Sequence, residues 1–308
     1  MLFRIFFWSF LLDGILYQDL QFDRLIIAQT NVLMKLSLGS ICTALSLITL
    51  PMLALAEQSG RALVPLPSLE DFTRGQNGLA VGLGLGLEYE SAYEGSDEYE
   101  LELDPAGALQ WRQDKHIFYW AGEAFGWRTL ASEKWLFDSL LGFEEGREEG
   151  DSDEGRLDGL GESEEGFELA LQTRYAFDDD WRYWLDARIV ASENGNLGLF
   201  GFGRRFGANL DGTGHEITFA AVFHDSEYAN TDFGITGEQA ASSGLAETEL
   251  DGGFRSMALH YNYRQYIKPK WQLFGEFFYE GYSSDIKNSP IAREEFEAEV
   301  GVGFLYIF

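Results

Sequence analysis

The last thirteen residues of the chain alternate in character. Phe296, Ala298, Val300, Val302, Phe304, Tyr306 and Phe308 are apolar or aromatic at every second position, while Glu295, Glu297, Glu299, Gly301 and Gly303 stand before and between them, with Leu305 and Ile307 completing the second set. Successive side chains of a strand point to opposite faces, whereas a helix would scatter both sets around its axis. The segment therefore reads as a strand with one oily face and one face that opens with three carboxylates. The rhythm recurs at 271–280, where Trp271, Leu273, Phe277 and Tyr279 oppose Gln272, Glu276 and Glu280. At 254–266, Met257, Leu259, Tyr261 and Tyr263 alternate with Ser256, His260, Asn262 and Arg264. At 79–90, Leu79, Val81, Leu83, Leu85, Leu87 and Tyr89 alternate with Ala80, Gly82, Gly84, Gly86, Glu88 and Glu90. Seven further segments carry the pattern less cleanly: 99–112, 116–127, 134–146, 164–177, 181–192, 197–207 and 215–225. Each is about the length that crosses a bilayer at a tilt.

The N-terminal region points to export. From Met34, a lysine at 35 precedes an apolar stretch that ends at Ala54-Leu55-Ala56, the pattern of a secretory signal with an A-x-A cleavage site. Cleavage there leaves Glu57 as the mature N-terminus. Residues 1–33, whose apolar residues are broken by Asp13, Asp19, Asp23 and Arg24, are most simply explained by a start placed too far upstream. Cys42, the one cysteine, falls within the signal, so the mature chain offers no disulfide, thiolate metal site or cysteine nucleophile. The formal charge of −29 leaves no basic stripe for phosphates, and no nucleic-acid partner is expected. Such acidity could signal disorder, but aromatic residues at 15% argue against it. After residue 56 no run reaches the roughly 18 apolar residues a spanning helix needs. Export, alternation, aromatics and 35 glycines together predict an all-β fold, an antiparallel transmembrane β-barrel in the outer membrane of a Gram-negative cell.

The expected organisation is a signal at 34–56, a short periplasmic segment at 57–77 and a barrel at 78–308. Eleven segments alternate, yet single-chain bacterial barrels have even strand numbers. Twelve strands are expected, with ten the alternative, and the missing strand is sought at 62–72 or within 226–253. A strand in the latter would invert the sidedness of everything before it. Tight turns at Asp178-Asp179-Asp180 and Lys268-Pro269-Lys270 would face the periplasm with the C-terminus, and long connections at 145–163, 226–253 and 281–293 the outside. Trp111, Trp120, Trp127, Trp135, Trp181, Trp184 and Trp271 mostly fall near strand ends, where amphipathic rings form a girdle at headgroup level. Gly303, Tyr306 and the terminal Phe308 resemble the C-terminal signal read by the barrel-assembly machinery.

Three stretches in order resemble the MipA/OmpV family of outer-membrane proteins. The first is the run from Glu88 to Tyr99 containing Tyr93, Gly95, Ser96 and Asp97; the second is Phe233-Gly234-Ile235-Thr236-Gly237 through Leu245; the third is Ser289-Pro290-Ile291 before the last strand. Gly159-Leu160-Gly161-Glu162 is a weaker match, and the set covers about 78–308. The resemblance implies a non-enzymatic scaffold that brings a lytic transglycosylase together with a murein synthase, with no cofactor. The heavily acidic 144–165 segment departs from the family pattern.

Other constellations invite chemistry and have plainer readings. Residues 144–165 hold eleven carboxylates against Arg147 and Arg156, which suits cation capture at the lipopolysaccharide surface but lacks the ligand spacing of an EF-hand loop; a solvated, self-repelling loop is the favoured reading. Ser96 lacks the frame of a nucleophile elbow, and Gly95-Ser96-Asp97 reads as a turn. His224-Asp225-Ser226 contains the residue types of a triad, but neighbours on a strand face opposite ways. His116 and His215 stand alone, so no transition-metal site is expected. Glu88, Glu90, Glu276, Glu280, Glu295, Glu297 and Glu299, facing His260, Arg264, Arg174 and Arg188 from other strands, are expected in the lumen. They would act either as a filter preferring cations or as the ion-paired filling of a narrow interior, the latter favoured at about twelve strands.

Overall fold

The computed structural model describes residues 71–121, 124–144, 146–163, 165–207 and 214–308. The signal, the upstream segment and residues 57–70 lie outside the described residues. Twelve strands form a closed barrel: β1 (Gly78–Ser91), β2 (Tyr99–Gln113), β3 (His116–Ala121), β4 (Ala124–Leu130), β5 (Trp135–Glu144), β6 (Gly166–Ala176), β7 (Tyr183–Ser192), β8 (Gly195–Phe206), β9 (Gly214–His224), β10 (Gly253–Lys268), β11 (Trp271–Tyr282) and β12 (Phe296–Ile307). Each strand pairs antiparallel with its sequence neighbours, and β1 closes the ring against β12 from Gly82 opposite Ile307 to Tyr89 opposite Val300. Closure leaves no edge of unpaired backbone groups, the condition for β-structure in hydrocarbon. Among the described residues no helix is long and apolar enough to cross a membrane.

The twelfth strand comes from neither place where it was sought. Segment 116–127 divides into β3 and β4, with two residues between them, and β4 runs on to Leu130. Segment 226–253 carries two helices instead, α1 (Ser226–Phe233) and α2 (Gly237–Ser243). Asp225 caps α1 by accepting from the Tyr228 amide at 2.9 Å. Thr236 and Gln239 form a capping box on α2, with the Thr236 amide donating to Gln239 Oε1 at 2.9 Å. Of the 62–72 candidate only Asp71 and Phe72 are described, and neither lies in a strand.

Alternation sorts the wall into two faces. On β12, Phe296, Val300, Val302 and Phe304 are exposed while Glu297, Glu299, Leu305 and Ile307 are buried; on β5 the two classes alternate at every residue. The outward aromatics meet across strands near both ends, as lipid-interface girdles do. At the C-terminal end, Trp135 meets Tyr175 at 4.9 Å and Trp271 meets Tyr306 at 5.1 Å. At the opposite end, Tyr89 stacks on Tyr99 at 5.1 Å, and Phe143 meets Phe167 at 5.4 Å. Trp181 and Trp184 do not belong to a girdle. Both are buried against Leu136 and Ala176, and the Trp181 indole donates to the Glu133 carbonyl at 2.8 Å. β7 begins two residues after the expected start at 181, so Trp181 lies before the strand and Trp184 takes its inward face.

Candidate functional site

The connections at the end opposite the C-terminus build a compact cap. Its core takes Tyr93 from the β1–β2 loop, Leu157 and Leu160 from the β5–β6 loop, and Ala229, Phe233, Ile235 and Leu250 from the β9–β10 connection. Ile286, in the short helix α3 (Ser284–Lys287), and Ile291 complete it from the β11–β12 loop. The three family-like stretches thus converge on one place. Gly95, with φ +78, turns the first loop so that its carbonyl accepts from the amides of Arg293 at 2.7 Å and Glu294 at 3.0 Å. Ser96 is buried in that turn, its amide bonded to the Tyr93 carbonyl at 2.9 Å and its hydroxyl accepting from the Glu98 amide. Ser289 donates to the Phe233 carbonyl at 2.6 Å, next to Gly234 and just before Pro290. Asp97 pairs with Arg156, and Thr236 serves the α2 cap.

One guanidinium ties the cap to the barrel. Arg255 of β10 is fully buried, with Nη2 at 2.7 Å from Glu94, Nη1 at 2.9 Å from Asp232 of α1 and Nε at 3.1 Å from Glu280 of β11. Burial and the neighbouring Glu94 charge push the Asp232 carboxyl well above the usual range, against the pull of Arg255. The acidic 144–165 segment is also more than a solvated loop. A 3₁₀ turn spans Glu149–Asp151, and the Arg147 guanidinium donates to the Asp232 carbonyl at 2.6 Å. Gln239 donates to the Leu160 carbonyl at 2.7 Å, and Ser242 to the Gly159 carbonyl at 2.5 Å. Leu157 and Leu160 anchor it from within the cap, while Glu148, Asp153, Glu154, Asp158, Glu162 and Glu165 are exposed.

Below the cap the lumen has two unlike halves. Across β4 to β9, inward charges meet partners on the next strand: Arg128 with Asp138 at 3.0 Å, Arg174 with Asp186 at 2.7 Å, and Arg205 with Glu216. All but the half-buried Glu216 are buried; Arg174 and Asp186 are each 1% exposed. Along β1, β2, β11 and β12 carboxylates and glycines recur among the inward positions, with alanines, aromatics and aliphatics between them. Glu88 stands opposite Glu102 and opposite Gly301, and oxygens of Glu88, Glu90 and Glu299 lie within 4.8 Å of one another. Glu297 accepts from Ser91 at 2.5 Å and Tyr282 at 2.6 Å, and faces Glu280 across the strands. Arg264 pairs with Glu276 at the boundary, and His260 is buried beside Asn262. Glu295 does not join this set: it precedes β12, is exposed, and pairs with Lys287 at 3.0 Å. At the C-terminal end, Phe72, Ala106, Tyr266 and Phe274 pack on Ala80, Leu305 and Ile307. Gly303 leaves the space that the Phe274 ring fills. Tyr306 and Phe308 face outward, their rings 4.9 Å apart.

The triad-like run dissolves in the fold. Asp225 is occupied as the α1 cap and by Asn196, whose side chain donates to it at 2.6 Å, while His224 is buried at the end of β9. Arg255 and the cap were not singled out in sequence, since Glu94 lies 161 residues from its partner.

The family model for the MltA-interacting protein MipA matches residues 83–308. The chain belongs to the MipA family. The match spans nearly all of the barrel, including the three stretches that meet in the cap. No curated protein matches the sequence. Among solved structures, the translocator domain of the autotransporter NalP from Neisseria meningitidis is similar at 10% identity, covering 87% of this chain and 97% of that one, with a TM-score of 0.39. The toluene transporter TodX of Pseudomonas putida is similar at 8% identity, covering 75% and 89%, with a TM-score of 0.35.

Proposed function

We propose that this MipA-family barrel is a non-enzymatic anchor in the outer membrane, docking cell-wall enzymes at its periplasmic end. The observation that carries the reading is the burial of the lumenal charges: a water-filled bore would leave Arg174, Asp186 and Glu280 wet, yet each is 1% exposed. A filled, capped barrel holds position rather than passing solute. The family's description as MltA-interacting supplies the class of partner, a lytic transglycosylase, with a murein synthase as the second enzyme brought to it. On this reading the signal is cleaved near Ala56, and the barrel-assembly machinery reads Gly303, Tyr306 and Phe308. The cap then faces lipopolysaccharide outside. The short turns at 114–115, 131–134, 177–182 and 269–270 face the periplasm with the segment from 57 to 77. Within that segment, Arg74 donates to the Pro269 carbonyl at 2.7 Å and lies 4.6 Å from the Tyr266 ring, giving the periplasmic face a defined surface.

The test is capture of a purified lytic transglycosylase on the immobilised barrel. Enrichment over an unrelated barrel from the same membrane is expected, reduced when residues 57–77 are deleted; equal recovery on both barrels removes the reading. A second reading, a small-solute channel preferring cations, is favoured by the half-exposed Glu88 and Glu90 on the glycine-rich wall. Conductance separates the two.

A further inference from the structure

Four inward positions stand directly opposite one another across β4 to β7: Arg128 and Asp138, Asp138 and Gln172, Gln172 and Arg188. One inward step towards the C-terminal end, Arg174 opposes Asp186. Both carboxylates of this layer are engaged. Asp138 takes Arg128 at Nε and Nη2, each at 3.0 Å, and Asp186 takes Arg174 Nε at 2.7 Å together with the Gln172 amide at 2.7 and 2.8 Å. Arg188 is left with an amide: its Nη2 donates to Gln172 Oε1 at 3.1 Å. Its Nε and Nη1, the Nη1 of Arg174 and the hydroxyl of Tyr119 are buried without a hydrogen-bond partner. Three guanidiniums face two carboxylates, so the layer carries one positive charge in excess. Glu168 is the further carboxylate within electrostatic reach of Arg188, but the opposed pair Ala170 and Val190 stands between their rows and the two form no ion pair.

Apolar side chains flank the layer, Leu140, Ala170 and Val190 towards the cap and Leu136 and Trp184 towards the C-terminal end. A buried charge without a counter-ion is strongly unfavourable. A water molecule could accept from these N–H groups, but it brings no charge. An anion supplies both acceptor and countercharge, and a guanidinium presents its donors in a fixed fork that suits one. We propose that this layer is a binding site for one small monovalent anion, a halide or a small carboxylate, held by Arg188 and Arg174 with the Tyr119 hydroxyl. The site stands on lumenal geometry alone and does not depend on a murein partner.

The test is thermal unfolding of the folded barrel in detergent micelles, at fixed ionic strength, in sodium gluconate, chloride or acetate. A ligand bound only by the folded state raises the midpoint in a saturable way. A rise of several degrees is expected in chloride or acetate over the bulky gluconate, the larger of the two naming the preferred anion. Arg188→Gln abolishes the rise, and the exposed control Arg182→Gln keeps it. Equal midpoints in all three salts overturn the site, as does a rise that survives Arg188→Gln. Should that variant fail to fold, broadening of the chloride NMR signal by the unmodified barrel decides: broadening relieved by acetate supports the site, and an unbroadened signal overturns it.

Discussion

The two halves of the lumen are built from the same rhythm and end differently. On β4 to β9 Asp138, Asp186 and Glu216 each have a cation opposite on the next strand, and the side chains close on one another. On β1, β2 and β12 carboxylate meets carboxylate, as Glu88 stands opposite Glu102 and lies beside Glu90 and Glu299, with glycines at 82, 84, 86, 301 and 303 along the same face. Charge on an inward face is therefore no sign of a channel by itself. What decides is whether the next strand brings the opposite sign.

The contrast can be broken at several points. The largest effect is expected at Arg255, where three carboxylates converge: Arg255→Met leaves them buried without a cation, a loss of about 3–5 kcal/mol, read by urea unfolding in lipid vesicles. Cleavage by added protease within 225–252 should rise in parallel as the cap loosens. Next is Asp225, whose carboxyl caps α1 from outside the membrane span. Asp225→Ala should cost about 1 kcal/mol and loosen the same loop without disturbing the strands. Burial raises this carboxyl, but the donors from Tyr228 and Asn196 together hold it below its ordinary 3.8. Its contribution is thus complete above 3.8 and disappears as pH falls through the lower folded value, and Asp225→Asn should flatten that acid limb. The smallest effect has the opposite sign. Glu88→Gln removes a like-charge cross-strand pair and should stabilise the barrel by about 0.2–1 kcal/mol in the same unfolding experiment. A loss there would mean that the Glu88 carboxylate is held by a partner its amide cannot keep.

The wall was legible because the constraint is local: lipid on one side and a polar interior on the other force a period of two, which β1 and β12 display most fully and a bulge at Phe254–Ser256 breaks at the start of β10. Strand number was harder. β3 and β4 together read as one segment, since the apolar alternation of His116–Ala121 resumes in Ala124–Leu130 after two residues. The long connections at 145–163, 226–253 and 281–293 were expected at one end, but their packing into a cap was not legible. Leu157, Leu160, Ile235, Leu250, Ile286 and Ile291 follow no period, and they meet only because three connections far apart in sequence emerge at one end of a closed ring. The same holds for Arg255, a strand residue whose partners sit on two loops and a neighbouring strand. Glu295 shows the converse, a residue that keeps the rhythm one step beyond the strand that produces it.

The filled lumen is tested most directly by the current through the refolded barrel in a planar lipid bilayer. The ion-paired half, the cap and the apolar residues at the C-terminal end predict a membrane that stays sealed at moderate voltages with the barrel inserted. A steady, cation-selective current through the intact barrel, lowered by Glu88→Gln, would contradict that account.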